Sequence, residues 1–217
     1  MNEKDTPVAR ERIQALKDLD ILDTPPEDQF DRITRMAARI FEVPIAQINF
    51  IDGDRQWSKS SFGVDRGEMS TSRSFCRRTL ENDTVTVVQD PEETGFEDHP
   101  YVLGEPHVNF YAGAPLRNPE GVPLGTLCVM DTNERVWRES EGETLRELAD
   151  LVEDELKLHQ AGQTIQRSER HYRRLFEESR DAILVTTPEG AFLDANPATE
   201  ELFGYSREEL LRLNVQE

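Results

Sequence analysis

Two cysteines and four histidines are the side chains most able to do chemistry in this 217-residue chain, and their spacing limits what that chemistry can be. Cys76 and Cys128 stand far apart, with no close Cys/His set beside either, so neither a zinc site nor a disulfide framework is expected. Cys76 lies in SFCRRTL, near Arg73, Arg77 and Arg78 and close to a helix start. Both features favour a thiolate, which makes Cys76 the candidate redox residue. Its plainer reading is a small core residue sharing a helix face with Phe75 and Leu80. Cys128 sits between Leu127 and Val129 with no Lys, Arg or His beside it, which fits an inert buried thiol. Asp90, Glu97, Asp98 and His99 read as a solvated acidic loop, and no metal site is assigned. Trp57, Phe75, Cys76, Asn109 and Tyr111 are the candidate lining of a small-ligand site, since aromatic walls with a few polar groups suit small molecules. No residue is assigned a catalytic role.

These residues need elements to hold them, and helix starts are legible. Thr24 to Glu27 (TPPE) reads as a capping box with Pro at the first helical position, opening DQFDRITRMAARIF. A preceding helix over about 7–21 carries Val8, Ile13, Leu16 and Leu19 at helical spacing. Ser140 to Glu143 and Ser206 to Glu209 open two more. Between them, PIAQINFID (44–52) and RQWSKSSFG (55–63) read as a hairpin about Asp52-Gly53, followed by a short helix at SFCRRTL and a strand at TVTVV (84–88). Asn118-Pro119-Glu120-Gly121 has type I turn residues, so FYAGAPLR and VPLGTLCVMD form a second hairpin. Phe110, Ala112, Ala114 and Leu116 share one face of its first strand; Leu124, Thr126, Cys128 and Met130 share one face of its second. The small Ala112, Gly113, Ala114 and Gly125 allow either close helix packing or a cavity.

From Ser140 a helical pattern runs to Phe176. Leu151, Leu158, Ile165 and Tyr172 recur every seven residues, the period of a two-helix seam. A parallel homodimer is the expected partner. Beyond it, Thr187-Pro188-Glu189-Gly190 turns another hairpin and Asn196 caps a helix with Pro197 at its first position. Two strands and two short helices bury little core, so this second unit reads as truncated.

Composition bounds the rest. Formal net charge is −19, from 44 acidic against 25 basic residues, and the basic set is 21 Arg to 4 Lys. An acidic surface poor in Lys fits a protein working in concentrated salt, where screening removes self-repulsion. Nucleic acid is excluded as a direct partner, because no basic patch is available to meet its phosphates. No stretch approaches 18 uninterrupted apolar residues, so no membrane segment is expected and the location is read as cytoplasmic.

The segment from Arg10 to about Gln160 resembles a GAF domain. The resemblance rests on LDILDTPPEDQFDRITRMAARIFEVPIAQINFIDGDRQWSKSSFGV, SRSFCRRTL and FYAGAPLRNPEGVPLGTLCVMD, in that order. Residues 168–217 look like the first half of a PAS domain, carried by YRRLFEESRDAILVTTPEGAFLDANPATEELFGYSREELL. The resemblance implies an α+β fold with an antiparallel five- or six-stranded sheet and flanking helices. It divides the chain into an N-terminal helix (1–22), a GAF sensor domain (23–160), a connector helix (140–176) and half a PAS domain (177–217). GAF and PAS joined by a helix is common in sensor histidine kinases. His159 and His171 do not match a kinase phosphoacceptor motif, and no ATP-lid or cyclase signature is present. The chain itself is therefore read as a non-enzymatic input, its parent as a protein-histidine kinase, with a diguanylate cyclase as the alternative output. The motifs that accompany haem, flavin, bilin or cyclic nucleotides in related domains give no support here. A rival class is the free-methionine-sulfoxide reductases, in which one thiol attacks the sulfoxide and a second resolves the intermediate. With Cys76 exposed and Cys128 buried, that cycle lacks a resolving partner.

Overall fold

The computed structural model describes residues 6–91 and 94–213. The first five residues of the 1–22 segment and the last four of the PAS segment lie outside them, as does the Arg73 side chain. The chain divides into two compact units after Gln160.

In the first unit, helices α1 (Pro7–Leu19) and α2 (Asp28–Ile40) precede the hairpin β1 (Ile45–Asp52) and β2 (Arg55–Phe62). A short strand β3 (Glu68–Ser70), helix α3 (Phe75–Asn82), strand β4 (Thr86–Gln89) and one-turn helix α4 (Pro100–Leu103) follow. The hairpin β5 (Phe110–Arg117) and β6 (Pro123–Asp131) leads into α5 (Glu139–Glu177). The sheet order is β3-β2-β1-β6-β5-β4, with every neighbouring pair antiparallel. The β1–β6 pairing brings two distant hairpins together at the centre. The β5–β6 turn forms where its residues place it: Gly121 N donates to Asn118 O at 2.9 Å, and Val122 N donates to Asn118 Oδ1 at 2.8 Å.

The TPPE capping box does not form. Helix α2 starts three residues beyond Pro25, its N-cap is Glu27, and no side chain caps it. Thr24 instead donates to Ile21 O at 2.6 Å and accepts from Lys59 Nζ at 2.6 Å. The reason is a β-bulge opposite Ile48/Asn49. It gives β2 one extra residue, so that Lys59 and Ser60 both reach the α2 side of the sheet. The fully buried Lys59 ammonium pairs with Glu27 and lies 5.2 Å from the Phe30 ring centroid. The tertiary demand of that cation, rather than a local cap, organises the loop before α2.

One face of the sheet packs against helices through Ala46, Ile48, Phe50, Phe110, Ala112, Ala114, Leu127 and Val129, meeting Leu16, Phe30, Ile33, Leu145, Ala149 and Val152. Ala112 and Ala114 thus serve close packing. Leu124 joins this same core, whereas Cys128 and Met130 belong to the other face, because the strand register shifts near Leu116/Arg117. The first part of α5 is amphipathic: Leu145, Leu148, Val152 and Leu156 are buried, while Leu151 and Leu158 are 46% and 67% exposed.

In the second unit, β7 (Leu184–Thr186) and β8 (Phe192–Ala195) pair antiparallel, followed by α6 (Pro197–Phe203) and α7 (Arg207–Leu210). Buried Asn196 ties it together, donating to Phe176 O and Asp181 O and accepting from Ile183 N and Thr199 N. Ser206 and Glu209 form the expected capping box.

Candidate functional site

The second face of the sheet is covered by α3 and by the segment carrying α4, and it is lined with polar groups. Along β1 the alternation sends Ile45, Gln47, Asn49 and Ile51 to this face, so two amides are buried in an otherwise apolar strand. The β1–β6 register sets Gln47 opposite Cys128 and Asn49 opposite Thr126. Helix α3, capped by Ser74, places Phe75, Cys76, Thr79 and Leu80 against them. Gly113 of β5 leaves room for this arrangement, since a Cβ there would land on the Tyr111 hydroxyl.

Cys76 and Cys128 therefore meet. Both are buried free thiols, 3% and 0% exposed. Asn49 Nδ2 donates to Cys76 Sγ at 3.5 Å and lies 3.6 Å from Cys128 Sγ. Ser58 Oγ donates to Asn49 Oδ1 at 2.6 Å, which fixes the amide with its NH₂ toward the sulfurs. Tyr111 and Thr79 share a hydroxyl–hydroxyl hydrogen bond of 2.8 Å beside the pair. The Thr126 hydroxyl is buried without a conventional hydrogen-bond partner and faces the same thiols.

The electrostatics of the two thiols differ. Burial pushes the Cys76 thiol up, but the polar groups around it (Cys128 first, then Thr126, Tyr111 and Asn49) outweigh it and bring it down to about 7. Cys128, which donates to Cys76 and is itself buried, is held well above its usual range. Of the arginines named from the sequence, Arg77 and Arg78 do not act here. Arg77 pairs with Glu81 at 2.9 Å, and Arg78 lies over the Phe96 ring. The exposed-thiol expectation for Cys76 is likewise corrected: its helix face turns inward because Phe75, Thr79 and Leu80 share it.

Phe75 is the centre of an aromatic stack over the site. Its ring centroid lies 4.8 Å from Tyr111, 4.4 Å from Phe96 and 4.2 Å from His99. His99 is not part of a solvated loop. It is 3% exposed, accepts from Tyr101 N at 3.0 Å as the cap of α4, and burial lowers its pKa to about 4. Among the described residues no group of three or more His, Cys, Asp or Glu is arranged to hold a metal ion. A small cavity remains between Gln47, Gln56, Cys76, His99, Tyr101 and Cys128. It offers about 10 Å³ to the centre of a water molecule, roughly the room for one water.

Of the proposed lining residues, the structure brings Phe75, Cys76 and Tyr111 together and places the other two elsewhere. Trp57 stacks on Phe50 on the helix-packed face. Asn109 is exposed and donates to Thr132 O at 2.9 Å in a surface hollow. Asn49, Thr126, His99 and the Cys128 partnership were missed. Gln47 and Asn49 in IAQINFID carried a signal, two amides at period two in a strand too apolar to face water.

The fold is an α+β domain with a polar, covered sheet face, followed by a second, smaller unit. A GAF-domain profile matches residues 25–156 and a PAS-fold profile residues 170–217. The chain belongs to the GAF family. It is 40% identical over 118 residues to a cyclic di-GMP phosphodiesterase of Pseudomonas aeruginosa, covering 54% of this chain and 20% of that one. It is 29% identical over 104 residues to a methyl sulfide methyltransferase-associated sensor of Methanosarcina acetivorans, covering 48% and 10%. The chain thus matches a fifth or less of each relative's length. Among solved structures, the GAF domain of an Acinetobacter phosphoenolpyruvate-protein phosphotransferase superposes with a TM-score of 0.54 at 17% identity, covering 74% of this chain and 97% of that one. A free methionine-R-sulfoxide reductase from Neisseria meningitidis does so with a TM-score of 0.52 at 15% identity, covering 71% and 91%. At these identities the likeness is one of fold. No helix among the described residues is long and apolar enough to cross a membrane.

Proposed function

We propose that this chain is the sensory input region of a cytoplasmic signal-transduction protein, with a histidine kinase as its output and a cyclic-nucleotide-processing enzyme as the alternative. In this reading the GAF domain holds the signal-responsive site, and α5 passes its state onward as a change in helix packing between two copies. The observation that carries it is α5 itself. One stripe of the helix is buried in the GAF core, and Leu151, Leu158, Ile165 and Tyr172 leave a seven-residue repeat 46 to 67% exposed. Large apolar side chains repeated at that period on an otherwise charged helix suit a second copy of the same helix. The Methanosarcina relative, named as a sensor, supports the input role; the phosphodiesterase relative supports the alternative output.

Light scattering on the wild-type chain and on Leu158→Asp and Ile165→Asp tests this reading. A carboxylate in a closed seam must be desolvated, so both variants are expected to shift toward monomer with helix and sheet content retained. A wild-type monomer at tens of micromolar, or an unchanged dimer in both variants, would refute it.

A further inference from the structure

We propose that Cys76 and Cys128 form a peroxide-reactive dithiol site that closes to an intrachain disulfide, with hydrogen peroxide itself as the substrate. The proposal builds on the sensory reading in one respect: the disulfide would be the state that α5 passes on.

Three independent features of the site converge on it. The two cysteines come from distant parts of the chain, yet α3 and β6 bring them to one Asn49 amide, 3.5 and 3.6 Å from the two sulfurs. That amide is held in its orientation by Ser58, so the donor is in place before any reaction. A sulfur that accepts hydrogen bonds is stabilised as thiolate, and Cys76 also occupies the first turn of α3, where the helix dipole adds to the effect. The third feature is size. The cavity beside the thiols has room for about one water, and Gln47, Gln56 and His99 line it with polar groups. Hydrogen peroxide, two oxygens and their protons, is the oxidant nearest to that size and polarity. An alkyl hydroperoxide or an amino-acid sulfoxide is far larger and would need the aromatic cover of Phe75, Phe96 and His99 to open.

The chemistry balances within the site. The Cys76 thiolate attacks one peroxide oxygen; an S–O bond forms, the O–O bond breaks, and the departing hydroxide takes the proton of the Cys128 thiol to leave as water. Cys76 is then a sulfenic acid, oxidised at the expense of the peroxide, and Cys128 is a thiolate. Cys128 attacks the Cys76 sulfur, an S–S bond replaces the S–O bond, and the second hydroxide is protonated from solvent to water. One peroxide and two thiols yield one disulfide and two waters. Thr126 adds a buried hydroxyl beside the two thiols.

The test treats the native chain with stoichiometric hydrogen peroxide, blocks remaining thiols after denaturation, and reads the mass and the cross-linked peptides. The expected result is an intrachain Cys76–Cys128 disulfide, with no bridge between chains. Cys128→Ser is expected to stop at a sulfenic acid on Cys76, trapped by a 1,3-diketone, and Cys76→Ser to lose the reaction. tert-Butyl hydroperoxide is expected to react much more slowly than hydrogen peroxide with the native chain and equally well once it is unfolded. Two free thiols after peroxide treatment of the folded wild-type chain would overturn the proposal, as would bridging only between chains. The wild-type measurement decides this even if a variant fails to fold. Hydrogen exchange along α5, before and after oxidation, separates the two readings. A disulfide that leaves α5 unchanged keeps the thiol site and refutes the relay; unreactive thiols in a chain that dimerises through α5 do the reverse.

Discussion

His99 makes acid stability a direct probe of how the site is covered. Its imidazole is stacked on Phe75 and accepts the Tyr101 amide, so it must stay neutral on that nitrogen to cap α4. Burial lowers its pKa to about 4, from an ordinary value of 6.5. In the unfolded chain the ring takes up a proton as pH falls through 6.5, while in the native state it does not until about 4. Unfolding therefore becomes proton-coupled, and native stability falls across that window. At 1.36 kcal/mol for each pKa unit, the full loss is about 3 kcal/mol, a large part of the usual 5–15 kcal/mol for a domain. Carboxylates also titrate toward pH 4, and relief of the net negative charge acts in the opposite direction, so the useful quantity is a difference. His99→Asn keeps a side chain able to cap α4 but removes the titration. Urea unfolding of both chains between pH 8 and 4, followed by Trp fluorescence and circular dichroism, is expected to show the variant less stable at pH 8, for loss of the Phe75 stack. That deficit should shrink by about 3 kcal/mol by pH 4. Parallel pH profiles for the two chains, or an NMR titration of native His99 near 6.5, would refute the reasoning.

Other perturbations test other parts of the structure. Glu27→Ala leaves the buried Lys59 ammonium without its carboxylate and is expected to cost about 3 kcal/mol in urea unfolding; a loss below about 1 kcal/mol would show that Thr24 and Pro25 alone satisfy it. A chain ending at Gln160 is expected to melt cooperatively, since the first unit closes its own core; a broad, probe-dependent transition would contradict this. Raising salt from about 0.1 to 1 M shortens the Debye length from about 10 to 3 Å and is expected to raise the melting temperature of a chain carrying −19 charges; a flat profile would remove the argument for a salt-adapted surface. Free methionine sulfoxide is expected not to be turned over with a thioredoxin-type reductant, because the cavity holds about one water; turnover that vanishes in Cys76→Ser would show that the aromatic cover opens.

Much of the first unit was written locally. The turn at Asn118–Gly121, the Asp52-Gly53 hairpin and the helical periods of α1 and α2 depend on residues a few positions apart, and the observed elements follow them closely, except that Ala9 rather than Val8 faces the core at the start of α1. The resemblance to a GAF domain rested on the same segments. The TPPE capping box failed although its residues were right, because Lys59, more than thirty positions away, drew Thr24 and Glu27 to itself. A local motif holds only while no buried charge competes for its atoms.

The site depended on distance along the chain. Sequence by itself determined that Cys76 lies near a helix start, that Cys128 lies in an apolar strand, and that Gln47 and Asn49 share a strand face. Only the tertiary structure decided that these are one place. The β1–β6 register joins two hairpins whose turns fix each strand's internal phase but not which strand it meets. It is set by burial of the opposite face, where Ala46, Ile48 and Phe50 must pair with Leu127 and Val129 beneath the helices. With the apolar face satisfied, the alternation of the strand carries Asn49, Thr126 and Cys128 to the other side, and α3 brings Cys76 down on them. The chemistry of the two thiols thus follows from a packing requirement on residues whose side chains point to the opposite face of the sheet.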